Sequence, residues 1–296
     1  MKAKICNYKN NAKAAFTFVF DDGCYGESTM WTYEIFKSIF EKTGVKIKAT
    51  SAQTVGFISP GAKKMWDSLF EEGYYDLCAH SLDHCIGYNK NTSMAQLHKD
   101  ACESREKLEE MYPSMRALTF ATPGGGSDSF GWDILKCYYI ANRNGNDRIN
   151  IPRNIDWYDI GTFTAMLNRT SKDYTDNIDE TIKNGGWSVQ VNHWITKKAE
   201  DKFHSQAYDT FVDQCEYLGK KAKENEIWVA SLNEATLYLQ EAEKSTLEIT
   251  EEEGKTKITL NCPLNIRIYN YPLTVEIEEN GKTRYIDIMP NETVIL

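Results

Sequence analysis

Asp21 and Asp22 end an apolar run, Ala15-Phe16-Thr17-Phe18-Val19-Phe20, and are followed at once by Gly23. A second run, Tyr75-Asp76-Leu77-Cys78-Ala79, ends at His80, with His84 four residues further on. Two imidazoles at that spacing face one point if the backbone between them makes one helical turn. Two histidines and one carboxylate form a donor set suited to a hydrolytic zinc centre, which keeps coordination positions open for water and substrate. The remaining carboxylate is then free to act as a general base. The chain has only 5 histidines, so their placement is informative.

Phe20-Asp21-Asp22-Gly23, followed about 60 residues later by His80-Ser81-Leu82-Asp83-His84, resembles the polysaccharide deacetylase family, also called the NodB-homology domain or carbohydrate esterase family 4. The resemblance covers residues 12 to 240 approximately. It implies that Asp22, His80 and His84 hold a divalent metal, Zn²⁺ first and Co²⁺ or Ni²⁺ as alternatives, and that Asp21 is the catalytic base. The family's third motif, of the type Arg-Pro-Pro-Tyr-Gly, corresponds to Ala121-Thr122-Pro123-Gly124-Gly125. Ala121 stands where the family has the arginine that orients the base, which leaves the tuning of Asp21 without a source. A backbone N–H in this loop, that of Gly124, is the candidate oxyanion donor, and an ordinary glycine turn is the competing reading.

The fourth motif resembles Asn154-Ile155-Asp156-Trp157, with Arg153 in place of its first aspartate. The resemblance implies that Trp157 lines the acetyl pocket and Asp156 orients the catalytic histidine; a tryptophan anchoring a loop on the core is the alternative. The fifth motif appears as Val191-Asn192-His193. It implies that Val191 borders the substrate and that His193 is the general acid. His98 and His204 match no motif and read as solvated or capping residues. The resemblance thus implies a metal-dependent hydrolase that removes acetyl groups from a carbohydrate with a metal-bound water as nucleophile. The substrate is an N-acetylated sugar, such as a chitooligosaccharide or a peptidoglycan glycan, or O-acetylated xylan. A catalytically impaired carbohydrate-binding homologue and a metal amidohydrolase acting on a small non-sugar amide are the other two classes.

The elements that must position these residues alternate. Strand-like runs at 15–20, 46–50, 75–79, 117–121, 158–163, 187–192 and 226–230 are separated by helical patterns at 28–42, 61–72, 93–111, 128–137, 174–184, 205–223 and 231–243. Ser93 with Gln96 forms a capping-box signature, and Gly44 and Gly73 stand at expected helix ends. Such alternation predicts an α/β fold with a parallel sheet closed or nearly closed. The family resemblance makes it a distorted (β/α) barrel of about seven strands. Active sites of such barrels lie at the carboxyl ends of the strands, where Asp21, Asp22, His80 and His193 all fall.

Beyond about residue 244 the pattern changes to short alternating runs at 247–250, 257–260, 266–269, 274–277 and 285–288, with a hairpin signal at Asn280-Gly281. Residues 1–244 are therefore expected to form the catalytic barrel, and 245–296 a small β-sandwich-like appendage packed on it.

Composition narrows the partners. Lys+Arg 34 against Asp+Glu 43 gives −9, which disfavours nucleic acid and anionic membranes and suits a neutral or cationic carbohydrate. No apolar stretch approaches the roughly 20 residues of a membrane-spanning helix. The start Met1-Lys2-Ala3-Lys4 lacks an apolar core after it, so the expectation is a cytoplasmic protein, or a secreted one whose signal has been removed. The 8 cysteines include no Cys-x-x-Cys pair and read as reduced, individually packed thiols, Cys78 and Cys85 included. Tyr25, Trp31 and Tyr88 are candidate surface aromatics for stacking on sugar rings.

Overall fold

The computed structural model describes residues 1–23, 26–198, 204–252 and 254–296; Tyr25 and Cys24 lie outside them. After a short edge strand β1 (Lys2–Ile5), the chain enters β2 (Ala14–Phe20), β3 (Ala49–Gln53), β4 (Tyr75–Ala79), β5 (Thr119–Ala121), β6 (Ala141–Asp147), β7 (Ile160–Thr164) and β8 (Trp187–Asn192). The helices between them are α1 (Glu27–Thr43), α2 (Pro60–Glu71), α3 (Met94–Met111), α4 (Ser129–Leu135) and α5 (Ser171–Asn184). A two-stranded ribbon, β9 (Trp194–Thr196) and β10 (Ser205–Ala207), precedes α6 (Tyr208–Lys223), β11 (Ile227–Val229) and α7 (Leu232–Lys244).

Strands β2 to β8 pair in order and in parallel, and pairing of β2 with β8 closes a seven-strand barrel. β11 lies beside the first half of β2, with Ile227 opposite Ala14. In β2 the residues sort by size. Phe16, Phe18 and Phe20 pack outward beneath the helices, while Ala15 and Val19 join the barrel interior with Ala52, Cys78, Ala121 and Trp187. Both faces are buried, which is why this strand reads as a continuous apolar run. Thr17 shares the inner face and accepts from Trp187 Nε1 at 2.9 Å. Continuing that alternation carries Asp21 into the barrel's carboxyl end, where its N–H bonds to Asn192 O at 2.9 Å.

One strand escaped the sequence reading. β6 spells Ala-Asn-Arg-Asn-Gly-Asn-Asp, a composition of turns. Tertiary partners make it a strand. Thr122 Oγ1 donates to Asn142 Oδ1 at 2.8 Å, and Asn144 Nδ2 donates to Asp159 Oδ1 at 2.8 Å. At Gly145 a Cβ would stand 2.7 Å from Gly125 O, so glycine is required where β6 passes that loop.

The remaining strands, β12 (Thr246–Glu252), β13 (Lys255–Asn261), β14 (Leu273–Glu279), β15 (Lys282–Ile288) and β16 (Thr293–Ile295), make two antiparallel three-stranded sheets together with β1, in the orders β1-β14-β15 and β12-β13-β16. Two expectations need correction here. β1 pairs with β14, so the first strand of the chain belongs to the appended β module and not to the barrel. The run 266–269 is a turn, held by Asn265, whose side chain and carbonyl accept from Arg267 N and Ile268 N. α7 is the seam between the two parts. Leu232, Ala235 and Leu239 pack under the barrel, and Tyr238 packs with Leu260, Val275 and Ile277 of the module. Among the described residues no helix is long and apolar enough to cross a membrane.

Ser231 caps α7 by accepting from Glu234 N at 3.1 Å and donates to the buried Asp76 carboxyl at 2.6 Å. Ser231→Ala removes both contacts at once. Chemical denaturation should show a loss of about 2 kcal/mol with an unchanged denaturant slope.

Candidate active site

The carboxyl ends of the barrel strands surround a cavity of about 570 Å³. Asp21, Asp22, His80, His84, Gly124, Val191 and His193 all line it. The first carboxylate comes from the end of β2. The second follows in a left-handed conformation, Asp22 at φ 68°, which turns its side chain away from the strand's alternation.

His80 follows β4 and is fully enclosed. Its Nδ1 donates to Ala121 O at 2.7 Å, because a carbonyl can only accept. That bond selects the tautomer in which Nε2 carries the lone pair. Nε2 stands 3.5 Å from Asp22 Oδ1, and neither atom has a hydrogen-bond partner among the described residues. His84 Nε2 approaches the same oxygen at 3.7 Å. The ligand atoms of Asp22, His80 and His84 lie within 4.8 Å of one another. Two imidazole nitrogens and a carboxylate oxygen, two of these three atoms buried and unsatisfied, fit a divalent cation.

The histidine pair does not converge through a helical turn. Residues 82–84 form a bend, with Ser81 at φ 75° and His84 at φ 62°. Left-handed backbone at a non-glycine residue costs of order 1–3 kcal/mol and persists only where the surroundings enforce it. Here they do. Ser81 Oγ accepts from His84 N at 3.0 Å, Asp100 Oδ2 from Leu82 N at 3.1 Å, and Leu82 O from Gly56 N at 2.7 Å. The other oxygen of Asp100 accepts from Tyr88 at 2.5 Å. Tyr88 is therefore a buried strut and not a surface aromatic.

The missing arginine is supplied from the next strand. Arg143, in the middle of β6, places Nη2 2.5 Å and 2.6 Å from the two oxygens of Asp21. Ala121 and Arg143 are register partners across β5 and β6, so the guanidinium enters from directly beside the position where the resembling motif carries it. Burial alone pushes the Asp21 carboxyl up. The Arg143 guanidinium, aided by His80 and His193, outweighs that and holds it below the usual carboxylate range. No local pattern marks this partner, because an arginine inside an Asn/Gly-rich stretch reads as a solvated loop residue.

His193 follows β8, with Nε2 3.9 Å from Asp22 Oδ2. Burial holds its imidazole below the ordinary value, against the opposing pull of Asp21 and Asp22. His204, read from sequence as solvated or capping, also lines the cavity, its ring centroid 5.2 Å from that of His193. Its carbonyl accepts from His193 N at 3.1 Å. Beneath this pair a buried ring of amides, Gln190, Asn192, Gln206 and Gln214, is mutually hydrogen-bonded and fixes β8 against β10. The only sequence signal for His204 was the scarcity of histidine itself.

Asp156 and Trp157 are not among the residues lining the cavity. Asp156 is exposed and accepts from Tyr158 N in its own turn. Trp157 packs against the interior cluster that includes Leu232 and Leu239, and its carbonyl accepts from Asn142 N where β6 begins. The core-anchoring alternative is the one found. His98 is half-buried and bonded to Tyr138 Oη, not solvated. Cys78 is a buried thiol as expected, whereas Cys85 is exposed; the described cysteines are all free.

No protein-family model matches the chain, and no curated protein does. Among solved structures, a family 4 carbohydrate esterase from Bacillus anthracis is 14% identical, with a TM-score of 0.47 over 81% of this chain and 86% of that one. A family 4 carbohydrate esterase from Streptomyces lividans, in complex with acetate, is 12% identical, with a TM-score of 0.43 over 74% and 93%. A polysaccharide deacetylase from Bacillus cereus is 14% identical, with a TM-score of 0.44 over 67%, and the chain spans 50% of its length. In the order of its motifs the chain resembles the polysaccharide deacetylases. At these identities the weight rests on the residues themselves.

Replacing Arg143 with alanine removes the cation and leaves burial acting alone on Asp21. The carboxyl then rises, so the acid limb of any activity that needs Asp21 ionised should move to higher pH. Stability carries the same sign. In the native chain the depressed Asp21 stabilises the fold at neutral pH, an advantage lost as pH falls through its folded value. Arg143→Ala should therefore be destabilised by about 3–5 kcal/mol near pH 7 and by less at acidic pH, measured by denaturation across a pH series.

Proposed function

We propose that this protein is a metal-dependent hydrolase that releases acetate from an acetylated carbohydrate. The observation that carries the reading is the convergence of Asp21, Asp22, His80, His84 and His193 on one cavity at the carboxyl end of a closed barrel. Asp22, His80 and His84 would hold the cation, and imidazole with carboxylate ligands favours zinc. When bound, such an ion supplies Lewis acidity toward the acetyl carbonyl and toward water.

The rest of the chemistry belongs to the chain. Asp21, ionised and held by Arg143, accepts a proton from the attacking water. The Gly124 loop lines the cavity, and the Gly124 N–H would be the donor to the developing oxyanion. His193 donates a proton to the leaving nitrogen or oxygen of the sugar. Its lowered affinity for protons makes the imidazolium a readier donor. Water adds across the acyl bond, giving acetate and a free amine or hydroxyl.

Purified protein should bind about one divalent ion per chain, and His80→Ala should lose it, as measured by elemental mass spectrometry. Full occupancy in that variant would remove the assigned ligand set.

Asp21→Asn and His193→Ala should keep metal and fold while acetate release falls about a hundredfold to ten-thousandfold. Acetylated chitooligosaccharides, acetylxylan and peptidoglycan fragments are the substrates to screen. Variants as active as wild type on the best of these would refute the proton-transfer roles.

A further inference from the structure

We propose that the acyl pocket of this site is polar, built on Thr162 and Thr164 of β7, and that it takes a hydroxyacyl group, glycolyl being the smallest, in preference to acetyl. The inference rests on the deacetylase reading above and names the acyl group that the same cavity selects. One side of that cavity is open and the other closed. The open side is at Phe57, an exposed residue at the end of the 3₁₀ turn Val55–Phe57 that follows β3. β6 and β7 are the strands farthest from β3 around the ring of seven. There Arg143 of β6 and Thr162 of β7, with Val191 of β8 beside them, line the cavity and are buried. The sugar, the larger half of the substrate, extends through the mouth, so the small acyl substituent faces the closed wall.

Strand alternation builds that wall. Ile160 joins the barrel interior, and Thr162 and Thr164 keep the same face two and four residues on, both lining the cavity. Thr164 is the register partner of Val191 across β7 and β8. Thr162 O accepts from Arg148 N at 3.1 Å and Val191 O from Ala165 N at 2.8 Å, so both residues stand on bonded backbone. Trp157, which the resemblance implied beside an acetyl methyl, packs with the interior cluster instead.

Two polar atoms of the wall are unmet. Thr162 Oγ1 and Arg143 Nε are buried and have no hydrogen-bond partner among the described residues. A methyl group would leave both so, with the penalty that an unsatisfied buried group carries. A hydroxyl donates and accepts, so it can answer either atom. Charge narrows the class further. An anionic substituent would meet Asp21 and Asp22, and a cationic one the Arg143 guanidinium. One added oxygen is small against a cavity of about 570 Å³. The reaction keeps its form: the water oxygen bonds to the acyl carbon, the C–N bond breaks with its electron pair going to nitrogen, and the nitrogen takes a proton. The products are glycolate and a free amine.

The test compares N-glycolylated with N-acetylated chitotetraose by release of free amine, at equal metal content. Wild-type kcat/KM should favour the glycolyl form about tenfold. Thr162→Ser should keep that ratio, and Thr162→Val should bring it to about one. Calorimetry of glycolate and acetate on the same three proteins needs no turnover. A hydroxy acid can also chelate a cation, so the reading there is a loss of about tenfold in glycolate affinity on Thr162→Val. Equal kcat/KM in wild type overturns the polar pocket and leaves the deacetylase reading standing. A glycolyl preference that survives in Thr162→Val does the same. No amine from either sugar, with glycolate binding still dependent on Thr162, sinks the deacetylase reading and keeps the pocket. No amine and no such dependence removes both.

Discussion

A carboxylate can stay ionised inside a barrel only if a countercharge is sealed in with it, and Arg143 against Asp21 meets that condition here. Breaking either half would leave an uncompensated buried charge, so the two strands carrying them are constrained together. The consequence spreads through neighbouring contacts. Arg143 sits in register with Ala121, whose small side chain leaves room for the guanidinium and whose carbonyl orients His80. One strand pair therefore sets both the charge state of the base and the tautomer of the first histidine.

Around that fixed centre the reactive groups are held in backbone conformations that the chain would not choose locally. Asp22, Ser81 and His84 all occupy the left-handed region. Hydrogen bonds from Asp100, Ser81 and the Val55–Phe57 turn offset the strain. The outcome is a donor set preorganised by the protein, with two of its atoms unsatisfied and turned toward one point.

The opposite end of the barrel is closed by packing. α7 lies beneath it and is shared with the β module, whose sheet recruits the chain's first strand. Tyr238 joins the three parts, donating to Cys6 O while accepting from Thr274 N. Closing the amino end in this way leaves the carboxyl end as the barrel's open mouth, where strands of different length deliver the site residues.

The alternation of strands and helices, the two motifs at Asp21-Asp22 and His80/His84, and the late switch to short β runs were legible in the sequence, because each is a local pattern of side-chain period or spacing. Register and long-range pairing were not. β6 carries no apolar alternation, since its inner residues are polar groups satisfied by partners far along the chain, so both the strand and Arg143 stayed hidden. His204 reached the cavity only because β10 pairs with β9 beside His193. Trp157 and Asp156 matched a motif by letter but fell at the wrong end of β6, because the 148–159 segment turns back to where that strand begins. Residue type and spacing thus determined which chemistry was available. The barrel's closure decided which residues share it, since contact across strands depends on a register that no local stretch of sequence encodes.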